Sequence, residues 1–315
     1  MNSITAFAPA SVSNVGCGFD VFGFAIDGPG DEVTARLGKN GGVNISAIEG
    51  DNGELTSDSA ENTAGIAVAE LLKNVGRSDT SVDLVLYKNV PLNSGLGSSA
   101  ASAAAAVTAV NRLLNLRLSP RQLLPFVIAA EKKVSGSAHA DNAAPSLLGG
   151  FMLVRRAKEA DVFRLPVPPN LYYAVVRPDV KVNTAQARAA LPGSITLKNA
   201  VAQWADTAAV VHALHTRNLN LLARAVHDHV AEPVRAQFIP GYERVKKAAL
   251  TNGALAVTIS GSGPAMFAFC RGNHVARKVA RAMAEVYEKE KTPSENYFGQ
   301  IRSRGALITQ QGEGA

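Results

Sequence analysis

Cysteine is nearly missing from this sequence of 315 residues. Only Cys17 and Cys270 occur, in surroundings that match neither a redox pair nor a metal pair, and no Cys/His cluster suits zinc. A disulfide scaffold and a structural zinc are thereby set aside, and both cysteines read as small reduced fillers. Long apolar runs are missing too: the stretch Ala100 to Val110 is interrupted by Ser102 and Thr108 and is too short to span a bilayer. The opening MNSITAFAPASVSN has no positive charge before its first proline and no apolar h-region, so it reads as neither a secretory nor a transit signal, and the chain reads as cytoplasmic. No run of five basic residues occurs. The formal charge of +6 and pI near 9.4 come from scattered Lys and Arg, which suits a small anionic partner and argues little for nucleic acid. No internal repeat is evident.

What the chain has is apolar surface to bury. Apolar residues make up 47% and charged residues 18%, a globular composition, and the length suits two domains. Val33–Leu37 and Val43–Ile48 alternate like strands around Asn40-Gly-Gly and suggest a hairpin. Asn62 offers an N-cap for a helix closing near Gly76, and Val82–Lys88 returns to strand. Ser119-Pro120 opens a helix that carries Glu131 and breaks at Gly136. Gly149–Arg155 reads as a strand, and the prolines from Pro166 to Pro169 suggest a domain boundary there, giving domains 1–167 and 168–315. Beyond it the pattern predicts a strand at 171–176, helices at 184–190, 196–216, 219–229 and 241–251, strands at 254–259 and 266–270, a helix at 274–290 and a strand near 305–309. Trp204 reads as helix packing.

The most informative segment is Pro91-Leu-Asn-Ser-Gly95-Leu-Gly97-Ser98-Ser99, which runs from a strand into the Ala-rich helix beginning at Ala100. Free N–H groups and the helix dipole attract an anion at such a start, and the glycines let the backbone approach phosphate oxygens. It is not a P-loop, because GxxxxGK[ST] needs a lysine and this loop has none. Glu131 sits in the apolar run Phe126-Val-Ile-Ala-Ala-Glu, where an inward carboxylate is costly unless a cation offsets it.

The segment Pro91–Ala101 resembles the ATP-binding motif of the GHMP kinases (galactokinase, homoserine kinase, mevalonate kinase, phosphomevalonate kinase). Ala8-Pro-Ala-Ser-Val-Ser-Asn-Val-Gly-Cys-Gly-Phe-Asp20 resembles their N-terminal motif, and Thr258-Ile-Ser-Gly-Ser-Gly-Pro-Ala their C-terminal glycine motif, in the family's order. The resemblance implies an α+β fold of two domains: a ribosomal-S5-like N-terminal domain with a left-handed βαβ crossover and a ferredoxin-like C-terminal domain, with the active site between them. Within the family, Ser11–Gly23, His139-Ala-Asp-Asn-Ala-Ala-Pro-Ser and Val182-Asn-Thr184 leading to Arg188 are most similar to the homoserine kinase branch.

That resemblance implies ATP contacts at Asn62, Pro91, Leu92, Asn93, Ser94, Gly95, Leu96, Gly97, Ser98, Ser99, Ala100 and Ala101. It implies magnesium ligands at Ser99 and Glu131 and an amino-acid site of Asn14, Asp20, His139, Asp141, Thr184, Arg188 and Arg235, with Asn142 orienting the reacting hydroxyl. It also implies a homodimer. Taken singly, Asp20 and Asp141 read as turn caps, Arg188 and Arg235 as solvated helix charges and Glu131 as a surface partner for a lysine; their clustering in motifs favours the site. The chemistry is consistent: an amino acid offers a carboxylate for guanidinium forks and an ammonium for Asp141. Some relatives carry an Asp as base where this chain has Asn142, which leaves a general base open. Two other readings remain: a kinase of the same family for mevalonate or shikimate, and a catalytically silent ligand-binding member.

Overall fold

The structure, a computed structural model, describes residues 3–39, 41–182 and 184–312, and no side chain at 184 or 185. The first sheet has seven strands. β1 (Ser3–Ser13), β2 (Phe22–Leu37), β3 (Val43–Glu49) and β4 (Val82–Tyr87) run in the order β1-β2-β4-β3. The expected hairpin of β2 with β3 does not form. β4 lies between them, antiparallel to β2 and parallel to β3. A parallel pair needs a crossover, and helix α1 (Thr63–Asn74) supplies it, capped by the Asn62 side chain on Ala64 N at 3.0 Å.

Four helices accompany this sheet: α1, α2 (Ser98–Leu113), α3 (Pro120–Ser135) and α4 (Ala140–Leu148). Ala100, Ala101 and Ala103–Ala106 of α2 are fully buried, because methyl side chains let α1, α3, α4, β1 and β2 close on one helix from several sides. Ser119 and Gln122 form a capping box at the start of α3, and Gly136 ends it in the left-handed conformation. β5 (Phe151–Arg156) pairs with the first turn of β2, and β6 (Asp161–Leu165) pairs with β5.

The chain then enters a second, antiparallel sheet of β7 (Leu171–Pro178), β8 (Ala256–Ile259), β9 (Met266–Arg271) and β10 (Ser294–Gln300), in the order β10-β7-β9-β8. Between β7 and β8 lie α5 (Thr184–Ala189), α6 (Leu197–Thr216), α7 (Leu219–Ala225), α8 (Glu232–Arg235) and α9 (Tyr242–Thr251); α10 (Asn273–Lys289) follows β9. The helix expected over 219–229 ends at Ala225, where Asp228 turns the chain by accepting from Val230 N, Ala231 N and Glu232 N. β1, α4, β6, α8 and β10 lie outside the elements that the sequence pattern predicts. The final strand, β11 (Leu307–Gly312), joins the first sheet, pairing with β1.

Aromatic residues form only 6% of the chain, yet five of them gather where the sheets meet. The Phe24 ring lies 5.5 to 6.1 Å from the rings of Phe151, Tyr173, Phe267 and Phe269. This cluster joins the two sheets. Trp204, expected to pack, is instead 64% exposed on α6.

Candidate active site

Three loops that are distant in sequence are tied together by backbone and hydroxyl hydrogen bonds. Ser11 N donates to Leu96 O at 3.0 Å, Gly261 N to Ser13 O at 3.2 Å, Ala265 N to Ser94 O at 3.1 Å and Ser260 Oγ to Gly95 O at 2.7 Å. The glycines make this possible. A Cβ on Gly95 would strike Ser260 O at 2.4 Å, and the backbone there has φ +79°, a conformation that penalises side chains. Together the loops floor a cleft of about 700 Å³.

The first turn of α2 opens into this cleft, with Gly97 in the left-handed conformation before it. Asn93, Ser94, Gly95, Gly97, Ser98 and Ser99 line the cleft, as does Leu92. Pro91, Leu96, Ala100 and Ala101 do not; Leu96, Ala100 and Ala101 are fully buried and support the loop from below. Ser98 Oγ donates to Val90 O at 2.9 Å, stapling one end of the loop to the other. Asn62 also lines the cleft, but its side chain caps α1 and donates to Thr56 O at 2.9 Å.

Beneath the loop lies a charged network that motif reading missed. Lys88 is buried and pairs with the fully buried Asp31. Lys88 Nζ also donates to Ser98 O at 3.0 Å and Ser102 Oγ at 2.7 Å, while Asp31 accepts from Ser102 Oγ, Asn89 N and Val90 N. Burial pushes the lysine's pKa down, opposed by Asp31. One signal was available: Val82, Leu84 and Leu86 of β4 face inward in alternation, and the same period puts Lys88 inward, where it needs an acid.

Glu131 is buried, and its Oε1 has no hydrogen-bond partner among the described residues. Its Oε2 lies 3.5 Å from His139 Nδ1. Burial opposes the charge of His139, but the bond to Glu131 and the charges of Asp141, Glu131 and Asp20 outweigh it, so the imidazole pKa is raised. An orphaned carboxylate oxygen in the same cleft as the Ser99 hydroxyl fits a hard cation that takes most of its remaining ligands from phosphate and water.

On the other side of the loop, α4 presents Asp141 and Asn142. Asp141 is 2% exposed, and burial together with the charge of Asp20 pushes its pKa up to about 6; its Oδ1 has no hydrogen-bond partner among the described residues. Asn142 Oδ1 accepts from Ser11 Oγ at 2.9 Å, which leaves its amide nitrogen as the group offered to the cleft. Arg188 and Asp20 hold each other in a fork, Nη2 to Oδ2 at 2.7 Å and Nη1 to Oδ1 at 3.4 Å. Arg235 is buried and donates from Nη1 to Gly261 O at 2.9 Å. Asn14 Nδ2 donates to the same Gly261 O at 2.9 Å, while its Oδ1 accepts from Asp20 N. The backbone of Thr184 opens α5, but its side chain lies outside the described residues. Asn14, Asp20, His139, Asp141, Asn142, Arg188 and Arg235 thus meet in one cleft.

The family description "GHMP kinases N terminal domain" matches residues 62–150, and "GHMP kinases C terminal" matches residues 210–289. The chain is 43% identical to a homoserine kinase of Chlorobium phaeobacteroides, over 98% of this chain and 100% of that one. It is 42% identical to a homoserine kinase of Arabidopsis thaliana, over 91% of this chain and 79% of that protein. The crystal structure of a homoserine kinase from Cytophaga hutchinsonii superposes with a TM-score of 0.95 at 45% identity, covering 98% of both chains.

Proposed function

The chain belongs to the GHMP kinase family, and on that premise we propose that it transfers the γ-phosphoryl group of ATP to the side-chain hydroxyl of L-homoserine, giving O-phospho-L-homoserine. The observation that carries the choice of substrate is Asp141, a buried carboxylate with an unpartnered oxygen, in the same cleft as two arginines. That set complements an amino acid: Asp141 pairs the ammonium, Arg188 and Arg235 grip the carboxylate, and the side chain is left pointing toward Asn142 and the glycine loop. Mevalonate and shikimate bring no ammonium and would leave Asp141 unpaired.

Residues of the loop and of α2's first turn hold the triphosphate with backbone N–H groups. Ser99 and Glu131 would hold Mg²⁺, whose charge offsets that of the phosphates. Asn142 is a neutral amide, so it orients the hydroxyl and accepts no proton. Phosphoryl transfer through a loose transition state requires positioning and charge neutralisation more than a strong base, and the chain's residues supply both.

The test is a coupled assay of ADP release with L-homoserine, L-serine, mevalonate and shikimate, repeated for Arg188→Leu and Arg235→Leu and with L-homoserine amide. Losing one charge-assisted contact costs about 1.5–3 kcal/mol, or roughly tenfold to over a hundredfold in homoserine KM, with ATP KM nearly unchanged and a small penalty for the amide. Equal turnover of mevalonate, or arginine variants that handle homoserine like the parent, would remove this assignment.

A further inference from the structure

Phe19 joins none of the hydrophobic cores and stacks on no aromatic ring among the described residues. Its ring instead faces two cations: the guanidinium carbon of Arg235 lies over it at 5.1 Å from the centroid and that of Arg188 at 5.7 Å. Two guanidinium groups gathered at one place repel each other, and Arg188's charge works against Arg235's. Asp20 relieves Arg188 in its fork, and Gly261 O and Ala187 O accept from Arg235. Asp20 also draws on Arg235 through its charge, and the π face of Phe19 lies against both guanidinium groups and attracts each.

The backbone delivers this ring to a fixed place. Asn14, Val15 and Asp20 have φ of 70°, 49° and 56°, left-handed values that are uncommon for any side chain and exceptional for valine. Such a backbone persists only where its surroundings impose it. Here Asn14 bridges Gly261 O and Asp20 N, and Gly18 O accepts from Val21 N and Phe22 N. A Cβ on Gly18 would run into the Phe22 ring at 2.1 Å, so the residue preceding Phe19 has to be glycine.

We propose that Phe19 is a positioning residue for recognition of the substrate's carboxylate: its ring holds Arg188 and Arg235 side by side so that both close on one carboxylate. This rests on the reading of those two arginines as the carboxylate clamp. The ring acts through the two guanidinium groups it faces, so its effect falls on substrate affinity and leaves the transfer step alone.

The experiment measures KM for L-homoserine, L-homoserine amide and ATP, with kcat and melting temperature, for Phe19→Leu, Phe19→Met and Phe19→Tyr, with Arg188→Leu alongside. Both non-aromatic variants are expected to raise homoserine KM on the order of tenfold, leave ATP KM and kcat within about twofold, and change the amide much less; Phe19→Tyr keeps the π face and stays near the parent. A ring that only fills space would change homoserine and its amide by the same factor, and that result overturns the proposal. So does a rise in KM for Arg188→Leu with none for Phe19→Leu and Phe19→Met, which leaves the clamp standing without Phe19. An Arg188→Leu variant with parental homoserine KM overturns the clamp itself, and the proposal with it.

Discussion

Gly97 and Asn142 lie so close that a Cβ built on the glycine would sit 2.9 Å from the asparagine's amide oxygen. The same Cβ would lie 2.3 Å from Ser11 Oγ, the hydroxyl that donates to that oxygen. The helix end of the phosphate loop and the residue proposed to orient the acceptor hydroxyl are therefore packed directly against each other.

Replacing Gly97 by alanine is expected to damage both substrates' sites together. The left-handed backbone alone costs about 1–2 kcal/mol with a side chain, and Asn142 is pushed from its place. Misplacement by about an ångström costs roughly a hundredfold in turnover. Steady-state kinetics should show kcat falling by that order, with KM rising for homoserine as well as ATP. A folded Gly97→Ala enzyme with parental kcat would separate the loop from Asn142.

Glu131→Gln keeps the shape and removes the charge. Because Oε1 has no hydrogen-bond partner among the described residues, the unliganded protein should melt at the same temperature or higher, since a buried carboxylate oxygen left without a partner is costly. Turnover should collapse, and the stabilisation that ATP with magnesium confers should shrink. Full activity at low magnesium would make Glu131 an ordinary structural acid.

Asp141 links pH to both stability and binding. Its pKa is raised from 3.8 to about 6, so the folded state holds this proton more tightly than the unfolded chain does. The unliganded protein therefore loses stability as pH rises from about 4 to about 6, by up to roughly 3 kcal/mol. An Asp141→Asn variant lacks that loss and should melt higher than the parent at pH 8, with the gap closing toward pH 4. Homoserine binding runs the opposite way, because the ammonium needs the carboxylate. Its KM in the parent should climb as pH falls below about 6; a flat profile would count against the pairing.

Lys88→Met should strip Asp31 of its cation in a fully buried place. Breaking one side of such a pair costs about 3–5 kcal/mol, whereas the double variant with Asp31→Asn should regain part of it, because no lone charge remains. Denaturant titration of the two single variants and the double measures the coupling. Additive losses would mean that the two charges do not depend on each other.

Local signals carried most of what could be read beforehand. Asn62, Ser119-Pro120 and Gly136 act within one turn of chain, and each ends or starts a helix where the sequence places it. The three glycine motifs were legible because their backbone conformations allow few residues. Pairings across long stretches were not. Nothing in Val33–Leu37 or Val43–Ile48 announces that β4, arriving after a helix, will slip between them. The fork between Asp20 and Arg188 is hidden in the same way, since taken alone Asp20 reads as a turn cap and Arg188 as a solvated helix charge. Trp204 shows the converse limit: helical spacing suggested packing, and the side chain is exposed. The motifs suggested Asn14, Asp20, His139, Asp141, Asn142, Arg188 and Arg235, which line one cleft, while the internal tensions of that cleft, above all the orphaned oxygens of Glu131 and Asp141, came only from folding.

Strand β11 lies against β1, with Gly312 opposite Ser3. During synthesis, then, the first strand leaves the ribosome long before its outer neighbour exists. At ordinary elongation rates that interval is on the order of tens of seconds, during which the nascent half-molecule carries a bare row of amides and carbonyls along β1. Such an edge invites pairing with another strand, including the same strand of a neighbouring nascent chain on one messenger. That interval closes only when β11 emerges to cover β1.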